Sequence, residues 1–474
     1  MSHTPRFMFA GTNSGCGKTT VTLAVMRALV DAGTTVAPFK CGPDYIDPMF
    51  HKYITNHTCT NLDSFFLGKN DLRWLMDQSL SESTSGTDDS RPMGIVEGVM
   101  GLFDGIGMTS GGSSFEIAAM TQTPIILVVN ARGMALSIVP LLKGFVDYAS
   151  ILGQKHLIRG VLLNHVGQSM YMYLKDAIYE QTGLQVVGYF EHMENVSLES
   201  RHLGLVTAGE IADLDERMAL LSNAAAASVD LSLLHSIADS APPLTWEIPE
   251  FVKIARGYRE RRVPAWGGIR LAVAMDQAFC FYYEANLDFL KSLGVTPVPF
   301  SPTNYARLPE DIHGLYLGGG YPELYGDMLS ANVSMREDIC RACKAGMPVI
   351  AECGGFMYLH EFMDGLPMVG VVPGSCRMEK KLGPFGYVHA ISEKDDVFGA
   401  AGTTFAAHEF HYSASENTGS DYLLKKMNGK SWREVHSTKT MYAGYPHLYF
   451  YSSPQAVVHF VETMRAFKEK ESFE

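Results

Sequence analysis

The chain has 474 residues, a net charge of −13 and 46% hydrophobic residues. That length exceeds what one core supports, so two or three domains are expected. The acidic balance argues against a nucleic-acid surface, and no apolar run reaches the ~20 residues that span a bilayer. The opening Met1-Ser2-His3-Thr4-Pro5-Arg6 has no signal-peptide layout. A cytoplasmic location is therefore expected, with the eight cysteines reduced.

In chain order, the apolar run Phe7-Met8-Phe9-Ala10 leads into Gly11-Thr12-Asn13-Ser14-Gly15-Cys16-Gly17-Lys18-Thr19-Thr20, and a helical pattern follows from Val21 to Leu29. Strand, glycine-rich turn and helix start make a phosphate cradle, in which Gly15 and Gly17 let backbone N–H groups turn inward and the helix N-terminus adds positive charge. Lys18 would reach the β/γ-phosphates of a nucleotide such as ATP, with Thr20 beside it, and the Thr19 hydroxyl would face Mg²⁺. The spacing departs from G-x-x-x-x-G-K-[ST], because Thr12 stands where the first glycine belongs.

The next strand, Thr35 to Lys40, ends in Cys41-Gly42-Pro43-Asp44-Tyr45-Ile46-Asp47. Ligands of parallel α/β sheets gather at the carboxyl ends of strands, which places Lys40, Asp44 and Asp47 beside the nucleotide. Residues 78–92 read as an exposed loop. Strand Gly94 to Glu97 ends in an acid, so Glu97 is the expected second Mg²⁺ partner, with Asp104 nearby. Apolar strands follow at Pro124–Asn130, Leu157–Leu163 and Val186–Phe190, with a helix from Leu136 to Ala149. Asn164, at a strand end, could read an adenine edge or serve only as a cap. Repeated strand–helix units imply a doubly wound parallel sheet.

Residues 222–262 change character: Ala224–Ala227 and Leu231–Ile237 look helical, and Arg256–Arg262 looks like a surface connector. The boundary falls near 250–265, giving domains 1–250 and 265–474. A new α/β unit starts at Ile269–Ala274, followed by a helix from Ala278 to Leu293. Strand Pro348–Ala351 runs into Glu352-Cys353-Gly354-Gly355 and then a helical pattern, a nucleophile elbow. The helix dipole is expected to lower the Cys353 thiol pKa. Gly318 and Gly319, in the turn Gly318-Gly319-Gly320, could supply oxyanion N–H groups, and His447 is the candidate base. Cys340 and Cys343 lack a second pair at zinc spacing and read as ordinary helix residues. Arg377-Met378-Glu379-Lys380-Lys381 and His408-Glu409-Phe410-His411 read either as surface or as substrate contacts.

A phosphate loop in one half and an activated cysteine in the other suggest an amidotransferase. On Gly11–Thr20, Phe39–Tyr45, Asn61–Asp63, Glu97–Gly105, Arg201–Leu205, Leu317–Glu323, Glu352–Gly355 and His408–Ser413, the chain resembles the cobyrinic acid a,c-diamide synthase family. The resemblance implies a dethiobiotin-synthetase-like ATP-binding domain followed by a class I glutamine amidotransferase domain. It implies that ATP and Mg²⁺ activate acetate carboxylates of a corrinoid as acyl phosphates. Ammonia made from L-glutamine at Cys353 then gives the amides. Lys40, Asp44, Arg201, Arg377 and Lys380 are the candidate contacts to this polycarboxylate substrate. Two positions depart from the pattern: Tyr449 stands where many class I enzymes carry the glutamate of their triad, and Asn130 where the family more often has Asp. Another tetrapyrrole, such as nickel sirohydrochlorin or hydrogenobyrinic acid, would use the same chemistry. A nucleotide-switch protein with a vestigial amidotransferase domain is the reading from another class. The oligomeric state stays open, a homodimer among the options.

Overall fold

The computed structural model describes residues 4–83, 91–193, 200–201, 204–205, 208–211, 213–261 and 268–471. The chain divides into two compact units, Met1–Ile248 and Pro249–Glu474.

The first unit is built on a seven-stranded sheet of β1 (Arg6–Gly11), β2 (Val36–Cys41), β3 (Thr60–Leu62), β4 (Met93–Gly101), β5 (Ile125–Asn130), β6 (Ile158–Asn164) and β7 (Gln185–Phe190). Their spatial order is β3-β2-β4-β1-β5-β6-β7, and the paired neighbours are parallel. Strands β1, β2, β4 and β5 are almost wholly buried, as the strands of a doubly wound sheet covered on both faces are. The order reverses beside β1, so its carboxyl end opens onto the switch point where such sheets bind ligands. Buried Arg6 anchors the opposite end: its guanidinium donates to the carbonyls of Thr121 at 2.8 Å and Pro242 at 2.9 Å. Gln78 to Glu82, read from sequence as part of a loop, instead complete the helix Lys69–Glu82, whose inner face buries Leu72, Leu75, Met76, Ser79 and Leu80. Ser81 and Glu82 lie on its exposed face, while 84–90 are outside the described residues.

The second unit holds a six-stranded sheet in the order Val295–Phe300, Ile269–Ala274, Gly314–Leu317, Val349–Glu352, Met441–Gly444, His436–Ser437. All its pairs are parallel except the last. Between Val349–Glu352 and Met441–Gly444 the chain makes antiparallel ribbons that the sequence did not announce, among them Phe385–Ser392 paired with Thr404–Phe410. The expected surface connector is also different. Glu250–Glu260 is a helix that buries Phe251, Ala255 and Tyr258. Phe251 stacks on Tyr451 with centroids 4.1 Å apart. Its charged residues, prominent in the sequence, take the solvent side of an amphipathic helix. Cys340 and Cys343 are unbonded thiols on the helix Val333–Lys344. Among the described residues no helix is long and apolar enough to cross a membrane.

Candidate active site

The phosphate loop joins β1 to α1 (Lys18–Asp31). Gly17 is the N-cap in a left-handed conformation, φ 89°. A Cβ there would fall 2.0 Å from Asn164 Nδ2, so glycine is required by both conformation and space. With no side chain at the N-cap, the first N–H groups of α1 have no local acceptor and suit an anion. Asn164 does not present a free amide edge: Nδ2 donates to the Cys16 carbonyl at 2.9 Å, and Oδ1 accepts the His165 N–H at 3.0 Å. It braces the loop from the end of β6.

Thr19, on the first turn of α1, donates its hydroxyl to Glu97 Oε1 at 2.6 Å. Glu97 comes from β4 and is fully buried. The same oxygen accepts from Lys40 Nζ at 3.1 Å, and its other oxygen lies 2.8 Å from His51 Nε2. Lys40, in turn, donates to Asp47 and stands 3.8 Å from Asp44. β2 and β4 pair Lys40 directly with Glu97, and α2 (Asp47–Thr55) brings Asp47 and His51 to the same point on successive turns. Asp44 has a local task as well, accepting the N–H groups of Ile46 and Asp47 at 2.9 and 3.0 Å. Burial alone would lower the Lys40 ammonium pKa, but Asp47, Glu97 and Asp44 outweigh it and hold the group well above its usual value. Burial likewise favours protonated Glu97, and the Lys40 charge, His51 and Lys18 override it, keeping the carboxyl well below the usual range. His51 escaped the sequence reading. Its signal was a position four residues after Asp47, on the buried stripe of Phe50, His51 and Ile54. Asp104 closes a turn by accepting the Gly101 N–H at 3.0 Å.

In the second unit, strand Val349–Glu352 passes through Cys353 into the short helix Gly354–Leu359. Cys353 has φ 47° and ψ −102°, a sparsely populated conformation that costs about 1–3 kcal/mol. Packing holds it there. Its N–H donates to the Gly444 carbonyl at 2.8 Å, and the Gly355 N–H donates to the Gly318 carbonyl at 2.9 Å. A Cβ at Gly355 would lie 2.1 Å from the Leu317 oxygen, so only glycine lets the elbow seat on the neighbouring strand. His447 rests on the glycine turn: a Cβ at Gly319 would fall 2.4 Å from its Cε1 and 3.0 Å from its Nε2.

Two expectations are corrected. The thiol is not lowered: burial, then Glu323, push Cys353 up to about 12 against the Gly354 N–H. The helix behind it has six residues, and desolvation outweighs its dipole. Gly318 does not offer its N–H to an oxyanion, because it donates to the Tyr282 hydroxyl at 2.8 Å. Gly354, directly after the cysteine, and Gly319, bridged to Phe281 and lying under the His447 ring, are the remaining candidates. His447 is lowered to about 3 by burial, helped by His408 and His411, so the resting pair is a neutral thiol and a neutral imidazole. Glu352, one residue before the cysteine, lies with Oε2 3.7 Å from His447 Nδ1.

His408 sits opposite His447 in the strand register. His411 stacks on Tyr445 at 3.7 Å and contacts Glu409 at 3.1 Å. Among the described residues no group of three His, Cys, Asp or Glu side chains is arranged to hold a metal ion. Arg377 is exposed and pairs with Glu379 at 2.8 Å, and Lys380 is exposed beside it. Arg201 lies in a two-residue strand paired with Gly204–Leu205, and its side chain is outside the described residues.

Residues 7–206 match the CobQ/CobB/MinD/ParA nucleotide binding domain, and residues 270–455 match the CobB/CobQ-like glutamine amidotransferase domain. The fold and the two sites thus define a nucleotide-binding domain joined to a glutamine amidotransferase domain. The cobyrinate a,c-diamide synthase of Listeria monocytogenes serotype 4b (strain F2365) is 38% identical over 465 residues, covering 96% of this chain and 98% of that protein. Those of Caldanaerobacter subterraneus subsp. tengcongensis and Thermoplasma volcanium are each 38% identical, over 98% of this chain and 99% and 98% of theirs. The chain belongs to the cobyrinate a,c-diamide synthase family.

Proposed function

We propose that this chain converts the a and c acetate carboxylates of cobyrinic acid to amides, using ATP and glutamine. One observation carries the reading: a single chain of this family holds both the Thr19–Glu97 pair at a phosphate loop and a strained Cys353 in the same unit as a buried His447.

In the nucleotide unit, Lys18, Thr20 and the loop N–H groups hold the phosphates, with Asn164 keeping the loop in shape. The donors present fit Mg²⁺. Thr19 and Glu97 put two hard oxygens 2.6 Å apart beside the loop, Asp47 stands across Lys40, and Mg²⁺ takes one or two carboxylates together with phosphate oxygens and water. Bound there, it neutralises charge on the phosphates. A substrate carboxylate oxygen attacks the γ-phosphorus, ADP leaves and an acyl phosphate forms. Lys40, tied into the acids, sets the charge balance of this pocket. Asp44, Arg201, Arg377 and Lys380 remain candidates for substrate contact.

At the glutaminase site the Cys353 proton passes to His447 as sulfur attacks the glutamine amide carbon. Gly319 and Gly354 N–H groups receive the developing oxyanion. His447 returns the proton to the leaving nitrogen, ammonia departs, and water cleaves the glutamyl thioester to glutamate. Ammonia then displaces phosphate from the acyl phosphate.

Mass spectrometry tests the reading, with ATP, Mg²⁺ and glutamine given to the protein together with cobyrinic acid or nickel sirohydrochlorin. Two carboxylates converted to amides on cobyrinic acid is the expected result. Conversion of the nickel compound alone would move the chain to another tetrapyrrole, and ATP hydrolysis without conversion of either would favour a nucleotide switch.

A further inference from the structure

In a cysteine–histidine pair the imidazole needs a fixed tautomer. Nδ1 must carry the proton so that Nε2 is free to accept from sulfur, and an acceptor at Nδ1 enforces this. Position 449, two residues after the histidine, holds a buried tyrosine packed edge-on against Tyr283. The carboxylate near Nδ1 comes from elsewhere in the fold. Glu352 ends the strand that carries Cys353 and pairs in register with Gly444 of the strand that leads to His447. Its side chain is essentially fully buried, and both oxygens are held. Oε1 accepts the Leu448 N–H at 2.9 Å, and Oε2 accepts the Tyr316 hydroxyl at 2.8 Å. Leu448 follows His447, so the first of these bonds ties the carboxyl to the backbone carrying the imidazole.

We propose that Glu352 is the positioning residue of the glutaminase site, holding His447 with its Nδ1 proton turned to the carboxylate and stabilising the imidazolium when Cys353 gives up its proton. The proposal rests on the glutaminase reading above. The 3.7 Å separation from Nδ1 is longer than a hydrogen bond. It closes when the imidazole gains charge, as catalytic contacts often tighten only in the reacting complex. The Gly319 face of the ring, carrying Nε2 and Cε1, stays turned to the glycine turn. The groups facing the carboxyl are Tyr316 and His447, with Tyr442, Tyr282 and the Cys353 thiol within electrostatic range, and the carboxylate charge adds slightly to what holds that thiol up. Burial raises Glu352 to about 8, opposed by the Leu448 N–H and the Tyr316 hydroxyl. Its ionisation therefore belongs on the alkaline side of neutrality.

The test is Glu352→Gln, which keeps the shape and an acceptor for Leu448 but removes the charge. Measured above pH 8, where the carboxyl is ionised, glutamate release from glutamine should fall on the order of 10²- to 10⁴-fold in kcat, with the KM for glutamine unchanged and amidation driven by added ammonia intact. A kcat within about threefold of wild type overturns the proposal. If the variant loses the ammonia-driven reaction as well, Tyr316→Phe decides. It removes one hydrogen bond to the carboxylate, which raises the carboxyl pKa and must move the limb of the glutaminase pH profile to higher pH. An unmoved limb overturns the proposal. Absence of glutaminase activity in the wild type would instead overturn the reading on which the proposal rests.

Discussion

Lys40 is the charge on which the nucleotide pocket depends, and Lys40→Met tests this. The ammonium is buried, 3.1 Å from Glu97 and in contact with Asp47. At an effective dielectric of about 20, a charge pair at that first distance attracts by about 5 kcal/mol. Removing one partner of a buried pair typically costs roughly 3–5 kcal/mol, because the other charge is left uncompensated. Methionine fills the volume without the charge, so a loss of about 3–5 kcal/mol at pH 7 is expected for the first transition in urea, followed by circular dichroism. The contribution of Glu97 to the pH dependence should also change sign. In the wild type Glu97 is held well below its usual value, so it contributes stability above the ordinary carboxylate pKa, lost as the pH falls through the folded value. Asp47 is already raised to about 8 by burial and by Asp44; without Lys40, burial raises Glu97 above its unfolded value as well. Its penalty is then largest at high pH, and relative to wild type the variant should gain stability from pH 7 towards 5, by up to about 1.4 kcal/mol more per pH unit. A loss below about 1 kcal/mol at pH 7, or the same slope as wild type between pH 5 and 7, would refute the reasoning.

Asn164→Ala removes the brace on the Cys16 carbonyl, and the KM for ATP should rise about tenfold while glutaminase turnover is untouched; an unchanged KM would leave the loop held by its own backbone. Without glutamine, alkylation of Cys353 by iodoacetamide should be slow at pH 7 and climb about tenfold per pH unit up to pH 9, and a plateau below pH 9 would mean that the thiolate is stabilised after all. Reversing the charges of Arg377 and Lys380 together should raise the KM for the corrinoid and leave glutaminase turnover intact; a steady KM would remove them from the substrate's path.

The phosphate loop was legible because its chemistry is contiguous: strand, turn and helix start lie within fifteen residues, Arg6 to Thr20. Glu97 was read as a strand end, yet β4 runs on to Gly101 and carries Glu97 at its middle, level with Lys40 near the end of β2; Asp47 opens the helix that follows β2. The pairing of Lys40 with both acids depends on the β2–β4 register, which apolar strands do not reveal. The elbow at Cys353 was also local. Its oxyanion donors were only half readable, because the hydroxyl that takes the Gly318 N–H belongs to Tyr282, 36 residues earlier. The thiol's acidity was misjudged for the same reason, since the burial that governs it is set by packing from distant segments. The antiparallel ribbons stayed hidden because their strands mix histidines, serines and charges with apolar residues. Their burial patterns, such as that of Phe385–Ser392, carry the alternation only in part.

The two sites handle buried charge in opposite ways, and the difference follows from what each must do. The nucleotide pocket holds permanent charge in the pair Lys40 and Glu97, 3.1 Å apart, and an arriving polyanion with its cation meets these two groups already ionised and fixed, so less reorganisation remains at the moment of phosphoryl transfer. The glutaminase site keeps its reacting pair neutral, with the Cys353 thiol raised to about 12 and the His447 imidazole lowered to about 3. A thiolate–imidazolium pair is therefore unfavourable before glutamine arrives. It becomes favourable only when the new negative charge can pass from sulfur to the amide oxygen, against the N–H groups of Gly319 and Gly354, and the new positive charge can meet a carboxylate. Glu352, on the strand that delivers the nucleophile, is the group near Nδ1 able to supply that carboxylate. The barrier to sulfur ionisation would thereby make glutamine its own trigger, and the slow alkylation expected of the thiol without glutamine has the same physical reason.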